Sequence, residues 1–217
     1  MRIYGMVDLE SSALVPSDLD LSASFHALAR LYQDLEDCLT RTTAGLDLPC
    51  KAGCDACCHQ SVFLTPLEFL AAWDWLQEEL THSELHEVVI SGLEIYLSNQ
   101  LTIDQLDTPP AQGSKDHFHS VKELRFRCPI LSANGRCRVH PARELYARLF
   151  GSSWERTPGS LYACHIVAEQ LKDRELSLLV TKDWAKRLNE LPLTHRRTVY
   201  PAYIAELYGL KRVPIAI

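Results

Sequence analysis

The sequence predicts a mainly α-helical domain with an irregular, cysteine-rich loop near its centre and a short β-hairpin. Three long segments carry apolar residues at the three- and four-residue spacing of an amphipathic helix. Seven of the eight cysteines lie in short stretches outside those segments. The repeated strand–helix units that a barrel or a doubly wound sheet would need are not found. Residues 1–217 are therefore expected to form one mainly helical domain.

The first predicted helix begins near Asp20 or Ser22, either of which can cap it, and runs to about Thr42. Gly45, just beyond its end, is typical of a helix terminus. The helix carries one apolar stripe, made of Leu28, Leu31, Leu35, Cys38 and Leu39. Because Cys38 belongs to that stripe, we interpret it as a core residue and not as a ligand.

The second helix is predicted from the segment Thr65-Pro66-Leu67-Glu68, a capping box with proline at the first helical position, and runs to about Leu80. A third helix is predicted from Ser83 to about Leu106. Its apolar positions have helical spacing and comprise Leu85, Val88, Val89, Leu93, Tyr96, Leu97 and Leu101. These helices are expected to supply most of the core.

The second half of the chain is predicted to be less regular. Thr108 to Ser114 has the composition of a loop, and Asn134-Gly135 favours a hairpin turn that folds Cys137 back towards Cys128. Short helices follow over Pro141 to Phe150, ended by Gly151, and over Leu161 to Asp173. The remaining expected elements are a strand over Leu176 to Val180, a helix over Asp183 to Glu190, and a helix over Pro201 to Tyr208 that ends at Gly209.

Charge and hydropathy exclude several classes of function. The net charge of −6 argues against nucleic-acid binding, which needs clustered Lys and Arg. The short basic pair Arg196-Arg197 is interpreted as part of a solvated face. No apolar run is long enough to cross a membrane, and Met1 to Ser12 contains no secretory signal. We therefore expect a cytoplasmic protein with reduced thiols.

The cysteine spacing predicts a metal site. Cys50, Cys54, Cys57 and Cys58 lie in one short loop, in which Gly53 relaxes the backbone. A loop alone cannot close a coordination shell, so donors from elsewhere are required. The hairpin cysteines are the natural candidates and Cys164 is an additional one, which gives the predicted metal ligands Cys50, Cys54, Cys57, Cys58, Cys128, Cys137 and Cys164. Neighbouring side chains usually point apart, so one of Cys57 and Cys58 is expected to ligate the centre, while the other makes a second contact or stays a buried thiol.

Histidines offer weaker candidates. His59 and His140 stand next to predicted ligands and could support or replace them. His82 and His86 are four residues apart on a predicted helix, without the glutamate placement of a metalloprotease motif, so we interpret them as a solvated face. His117 and His119 lie in a polar loop. Dinucleotide- and nucleotide-binding fingerprints are not found in the sequence.

The cysteines and the residues around them resemble a known family. Over about residues 50–165, the chain resembles the YkgJ-type cysteine-cluster family of zinc- or iron-chelating proteins. The resemblance is carried by Cys50-x3-Cys54-x2-Cys57-Cys58, Cys128-Pro129-Ile130-Leu131, Asn134 to Cys137, Arg143 and Arg148-Leu149-Phe150. Two departures are visible. The first cysteine gap is three residues where the family has two, and Ala147 stands where the family usually has a cysteine. Cys164 or His140 could replace that ligand.

The identity of the metal is left open by the donor set. Thiolates suit zinc, and they suit iron held as a [4Fe-4S] cluster. The sequence favours a metal-binding protein with a role in metal storage, delivery or sensing. Two alternatives remain. The first is a redox or protein-modifying enzyme that uses an iron–sulfur centre, which is suggested by the likeness of the cysteine segment to flagellin lysine methylases. The second is a zinc-braced protein-interaction module. The sequence identifies no protein partner.

Overall fold

The computed structural model describes residues 7–48, 54–107, 124–172 and 174–211, and within these ranges the chain is mainly helical. The α-helices are α1 (Leu21–Thr42), α2 (Pro66–Glu79), α3 (His82–Ser98), α4 (Gln100–Asp107), α5 (Leu145–Leu149), α6 (His165–Leu171), α7 (Thr181–Leu188) and α8 (Tyr200–Leu207). The strands are β1 (Phe63–Leu64), β2 (Ser153–Trp154), β3 (Leu161–Tyr162), β4 (Leu179–Val180) and β5 (Thr198–Val199). None of the helices in these ranges combines the length and apolar character that crossing a bilayer requires.

Helix α1 begins and ends where the sequence predicts. The side chain of Asp20 accepts a hydrogen bond from the backbone N–H of Ala23 at 2.8 Å, which caps the first turn. The leucines of the predicted stripe are buried against α5 and α7, where they contact Trp184 and Leu188. Cys38 is half-buried at the edge of this cluster, and its sulfur accepts a hydrogen bond from Arg41. This position agrees with the interpretation of Cys38 as a packing residue.

Helix α2 has the predicted capping box, but its glutamate also has partners outside the helix. Oε2 of Glu68 accepts hydrogen bonds from the backbone N–H and the hydroxyl of Thr65, at 2.8 and 2.9 Å. Oε1 accepts from the Tyr32 hydroxyl of α1 at 2.9 Å and from the backbone N–H of Leu145 at 2.8 Å. Glu68 is 1% exposed, so this buried carboxylate joins α1, α2 and α5.

The prediction of one continuous helix from Ser83 to Leu106 is wrong. Helix α3 begins at His82 behind a second capping box, Thr81 with Glu84, and the chain leaves the helix at Asn99 before α4 begins. The Asn99 side chain donates to the carbonyl of Ile95 at 2.9 Å, a bond that competes with helix continuation. Leu97 and Leu101, on either side of Asn99, are 60% and 82% exposed, and the prediction that they are core residues is also wrong.

Helices α3 and α8 make the most extensive helix–helix contact in the described part of the chain. Gly92 lies at the contact, where a Cβ atom would stand 2.5 Å from Cδ1 of Ile204. The missing side chain lets the two helices approach, and both bury apolar residues in a core cluster that also contains Phe69 and Trp73 of α2. Strand β1, which precedes α2, pairs antiparallel with β5, which precedes α8.

The second half of the chain is less helical than predicted. The predicted helix over Leu161 to Asp173 is wrong at its start, because Leu161–Tyr162 forms β3 against β2, and α6 begins at His165. The predicted helix over Pro141 to Phe150 is a 3-10 turn, His140–Ala142, followed by α5. Strand β2 also pairs in parallel with β4. The last two helices match their predictions to within two residues, and Gly209 has the positive φ of a helix terminus.

The prediction that Arg196-Arg197 belongs to a solvated face is wrong for Arg196. Its side chain is 12% exposed and bonds Asp107, at the end of α4, with Nε–Oδ1 at 2.9 Å. It also bonds Glu206 of α8, with one terminal nitrogen 2.9 Å from Oε2. Lys211 contacts both carboxylates, so two cations offset two buried anions. The loop predicted over Thr108 to Ser114 and the nearby histidines His117 and His119 lie outside the described residues.

We predict that Glu68→Ala lowers the free energy of unfolding by about 3–5 kcal/mol, because it leaves the Tyr32 hydroxyl and the Leu145 N–H buried without their acceptor. The matched control is Glu84→Ala, which removes the same capping-box residue from an exposed helix start and should cost far less. Urea denaturation measures both. Equal losses would contradict a bridging role for Glu68.

We predict that Gly92→Ala destabilises the protein by about 1–3 kcal/mol although alanine favours helix, because the added methyl group collides with Ile204. The variant Ile204→Val removes the nearest carbon atom, so Gly92→Ala should cost less in that background. A double-mutant cycle by thermal or urea denaturation measures the coupling. Strict additivity of the two substitutions would show that the helices can separate at this point.

Candidate metal centre

The described part of the cysteine loop is a tight turn that leads into the core. Ala56–His59 forms one turn of 3-10 helix, closed by a hydrogen bond from the Cys58 N–H to the Asp55 carbonyl at 2.8 Å. Strand β1 and the capped start of α2 follow directly. The turn therefore holds Cys57 and Cys58 half-buried close to a rigid helix start, whereas Cys54 is exposed. Cys50 lies outside the described residues.

The hairpin meets this turn through the backbone. The N–H of Cys128 donates to the carbonyl of Cys58 at 2.7 Å, although 70 residues separate the two in the sequence. Cys137 pairs with Leu131 in an antiparallel bridge, and Gly135 has a positive φ of 75° at the turn between them. The prediction that the turn brings Cys137 back towards Cys128 is confirmed, and both residues pack against the core cluster of α2, α3 and α8.

The thiols of Cys57 and Cys58 act on each other's ionisation. Hydrogen bonding to Cys58 lowers the pKa of Cys57 from its ordinary value, and the positive charge of Arg143 acts in the same direction. The same bond raises the pKa of Cys58, and so do burial and the nearby sulfurs of Cys57, Cys128 and Cys137. Cys57 is therefore the thiol of this pair that ionises first, with Cys58 as its hydrogen-bond donor.

Burial is the largest influence on the pKa values of the two hairpin thiols, Cys128 and Cys137. It raises the pKa of Cys128 to about 12 and also raises the pKa of Cys137. The charge of Cys137 raises the pKa of Cys128 further. Cys57 acts on Cys137 in the same sense. Four sulfurs from two distant segments, those of Cys57, Cys58, Cys128 and Cys137, thus share one electrostatic environment.

Two charged residues of opposite sign adjoin these sulfurs. Arg143 favours the thiolate forms of Cys57 and Cys137, and its Nε atom is buried without a hydrogen-bond partner. Glu144 is buried and accepts a hydrogen bond from the Tyr200 hydroxyl at 2.9 Å. Burial raises the pKa of Glu144, and its negative charge disfavours ionisation of the thiols. The sequence reasoning missed Glu144, for which the only signal was a charged pair immediately before an apolar helix.

A second missed residue, Tyr162, borders the site from β3. Burial raises the pKa of its hydroxyl, and the charge of Cys57 adds to that effect. Its ring packs edge-on against Phe150, with centroids 5.0 Å apart, and against Tyr146 at 6.1 Å. These three rings form a small aromatic cluster beside β3. An aromatic residue two positions before Cys164 was the available signal.

No charge effect links Cys164, a further predicted ligand, to the sulfurs of this group in the described part of the chain. Cys164 is half-buried at the start of α6, and a side chain of this helix, Gln170, donates to the carbonyl of Asp47. That contact places α6 beside the segment that leads to Cys50. Over the described ranges, no set of three or more His, Cys, Asp or Glu side chains has an arrangement that could hold a metal ion.

The histidines are peripheral. His140 is exposed, and the positive charge of Arg143 followed by burial lowers its pKa. His59 is also exposed and pairs with Asp55 on its own turn, with 3.2 Å between Nε2 and Oδ2. His82 and His86 lie on the exposed first turns of α3, as predicted.

Comparisons with known proteins add nothing to this geometry, since no protein-family model, no curated protein and no solved structure matches the chain. The resemblance to the YkgJ-type cysteine-cluster family stays a prediction from the residues that carry it.

We predict that, in metal-free protein, Cys57 is alkylated by iodoacetamide at lower pH than Cys128. The thiolate is the nucleophile, so the Cys57 rate should rise with pH below the ordinary thiol pKa. The Cys128 rate should still be rising well above that value because burial raises its pKa. Pulse labelling followed by peptide mass spectrometry measures both profiles.

The control for this labelling is Cys58→Ala, which removes the hydrogen-bond donor to Cys57. In this variant, the alkylation rate of Cys57 should rise at higher pH than in the unsubstituted protein. Cys128 should still require a higher pH than Cys57. Coincident profiles for Cys57 and Cys128 in the unsubstituted protein would contradict the assigned roles of the two thiols.

Proposed function

We propose that this chain is a cytoplasmic metal-binding protein that chelates zinc or iron, including iron as a [4Fe-4S] cluster, and serves in metal storage, delivery or sensing. The ligands come from the loop and from the hairpin. One observation carries the proposal: the hydrogen bond of the Cys128 N–H to the Cys58 carbonyl joins the two cysteine segments, and their sulfurs act on one another electrostatically. The YkgJ-type resemblance belongs to this proposal.

The donor chemistry fits a soft metal centre. Thiolates are preferred ligands of zinc and of iron–sulfur clusters, and the described cysteines are free of disulfides. The hydrogen bond from Cys58 gives Cys57 thiolate character without metal, so Cys57 is suited to make the first bond. Cys58, Cys128 and Cys137 have raised pKa values and must lose protons to ligate, so metal binding should release protons.

Closing a coordination shell requires a local rearrangement. Because the described side chains hold no ready-made set of ligands, thiols must change rotamer, and the exposed Cys54 must approach the pair at Cys57 and Cys58 in order to ligate. Rotamer changes are small in cost compared with the binding energy of a thiolate metal site. The 3-10 turn is only half-buried, which leaves room for this movement. A bound zinc would supply structural cross-linking, and a cluster would supply electron transfer.

The decisive experiment is purification without oxygen, followed by measurement of zinc, iron and acid-labile sulfide. Stoichiometric zinc without sulfide supports a mononuclear site, whereas iron with equal sulfide and visible charge-transfer absorbance supports a cluster. A cluster that changes oxidation state under mild reductants would favour the redox-enzyme alternative. Protein that neither retains nor takes up zinc or iron would refute the proposal.

We predict that Cys54→Ser and Cys128→Ser each lower the metal content severalfold, because each removes a donor from one of the two segments. The matched control is Cys38→Ser: Cys38 lies on α1 at the edge of the core and accepts a hydrogen bond from Arg41, so its substitution should leave the metal content unchanged. Elemental analysis of protein purified in parallel measures all three. Equal loss in the three variants, or full occupancy in Cys128→Ser, would contradict the assignment of ligands.

A further inference from the structure

We propose that Cys58 and Cys128 form a redox-sensitive pair, in which a hydroperoxide joins the two sulfurs into a disulfide that links the cysteine turn covalently to the hairpin. Formation of this crosslink rests on the contact between the two residues and does not require the proposed function. Its consequence for the metal site does rest on that function, because both sulfurs are predicted ligands and a sulfur in the disulfide cannot also hold the metal.

The first argument is the distance between the two backbones. The N–H of Cys128 donates to the carbonyl of Cys58 at 2.7 Å. With standard bond lengths on either side of that hydrogen bond, the two Cα atoms lie at most about 6.6 Å apart. Disulfides usually join residues whose Cα atoms are about 4.4–6.8 Å apart. The backbone contact therefore keeps this pair within the reach of a disulfide.

The second argument is that both backbones are held at this contact. The N–H of Cys58 donates to the carbonyl of Asp55 at 2.8 Å, which closes the 3-10 turn. The carbonyl of Cys128 accepts a hydrogen bond from the N–H of Leu131 at 3.1 Å. The N–H and carbonyl groups of both cysteines are thus all hydrogen-bonded, so the Cα atoms keep their spacing while the side chains rotate.

The third argument is that the neighbouring cysteines are less suited partners. Cys57 and Cys58 are adjacent, and consecutive Cα atoms across a trans peptide are about 3.8 Å apart, below the usual range of a disulfide. Cys137 pairs with Leu131, and in the described part of the chain no backbone hydrogen bond joins it to Cys128. The best-placed partner of Cys58 is therefore Cys128.

Both thiols are available to a small oxidant. Neither residue takes part in a disulfide, and both are half-buried, so each keeps some contact with solvent. The charge of Cys128 raises the pKa of Cys58, which agrees with sulfurs that lie near each other. A hydroperoxide is small enough to reach a sulfur at a half-buried position, and a second thiol close by is typical of cysteines that respond to oxidants.

The reaction balances with hydrogen peroxide as the oxidant. One sulfur, as the thiolate, attacks a peroxide oxygen, the O–O bond breaks, and a sulfenic acid and hydroxide form. The second sulfur, also as the thiolate, attacks the first, so that the S–S bond forms while the S–O bond breaks and hydroxide leaves. The two hydroxides take up the two thiol protons. Two thiols and one peroxide thus give one disulfide and two water molecules.

The test is peptide mapping of the full-length, metal-free protein before and after treatment with stoichiometric hydrogen peroxide. Trypsin suits this map because it cleaves after Arg127 and Arg136, and the resulting peptide, residues 128–136, contains Cys128 and no other cysteine. Without reduction, we expect this peptide to appear linked to the peptide of the cysteine turn. A dithiol reductant should separate the two peptides, and the oxidised protein should stay monomeric.

Serine variants identify the partner within the turn. Cys58→Ser should abolish the linked peptide, whereas the matched control Cys57→Ser should retain it. Retention of the linked peptide in Cys58→Ser would overturn the proposal. A disulfide between Cys128 and Cys137 as the main product, covalent dimers, or no disulfide at all would overturn it in the unsubstituted protein, so the decision does not depend on the folding of a variant.

Zinc release separates this inference from the proposed function. In zinc-loaded protein, peroxide should release zinc in step with the crosslink, which a colorimetric chelator follows. Crosslinking of a protein that binds neither zinc nor iron would support the redox pair and refute the proposed function. Zinc binding by a protein that forms no Cys58–Cys128 disulfide, once the zinc is removed and peroxide is added, would overturn the inference and leave the metal site standing.

Discussion

The buried carboxylate of Glu68 is the constraint on which the arrangement of the site depends. It closes the capping box of α2, and its second oxygen accepts hydrogen bonds from Tyr32 of α1 and from the N–H of Leu145. Burying this group is tolerable only because both oxygens are fully used by donors. The start of α2, which follows the cysteine turn, is thereby held against the segment that carries Arg143 and Glu144.

Around this anchor, two short irregular segments meet although they are far apart in the sequence. The turn of Cys57 and Cys58 contacts the hairpin through one backbone hydrogen bond, and Arg143 and Glu144 place opposite charges beside the same sulfurs. On β3, the ring of Tyr162 packs edge-on against Phe150. The result is a group of thiols with unequal acidity, in which one sulfur is ready to ionise and its neighbours are held as thiols.

The elements that sequence reasoning placed well are those with local causes. Each of these features depends only on residues close by in the sequence, so the sequence alone predicts it. Examples are the helix cap at Asp20, the capping box at Thr65 and the positive φ of Gly209. The errors arise where distant packing decides. The apolar pattern continues past Asn99, yet the chain turns there, and Leu161–Tyr162 becomes a strand because β2 offers hydrogen-bond partners.

The sequence by itself determined that this is a mainly helical chain, where its main helices begin, and which sulfurs are candidates for a common centre, because periodicity, caps and cysteine spacing are local properties. Only the tertiary structure decided that the hairpin reaches Cys58, that Arg196 belongs to a buried ion network, and that Glu144 is buried and bonded to Tyr200. Those facts depend on desolvation and on contacts between segments separated by tens of residues, and neither quantity is encoded at any single position.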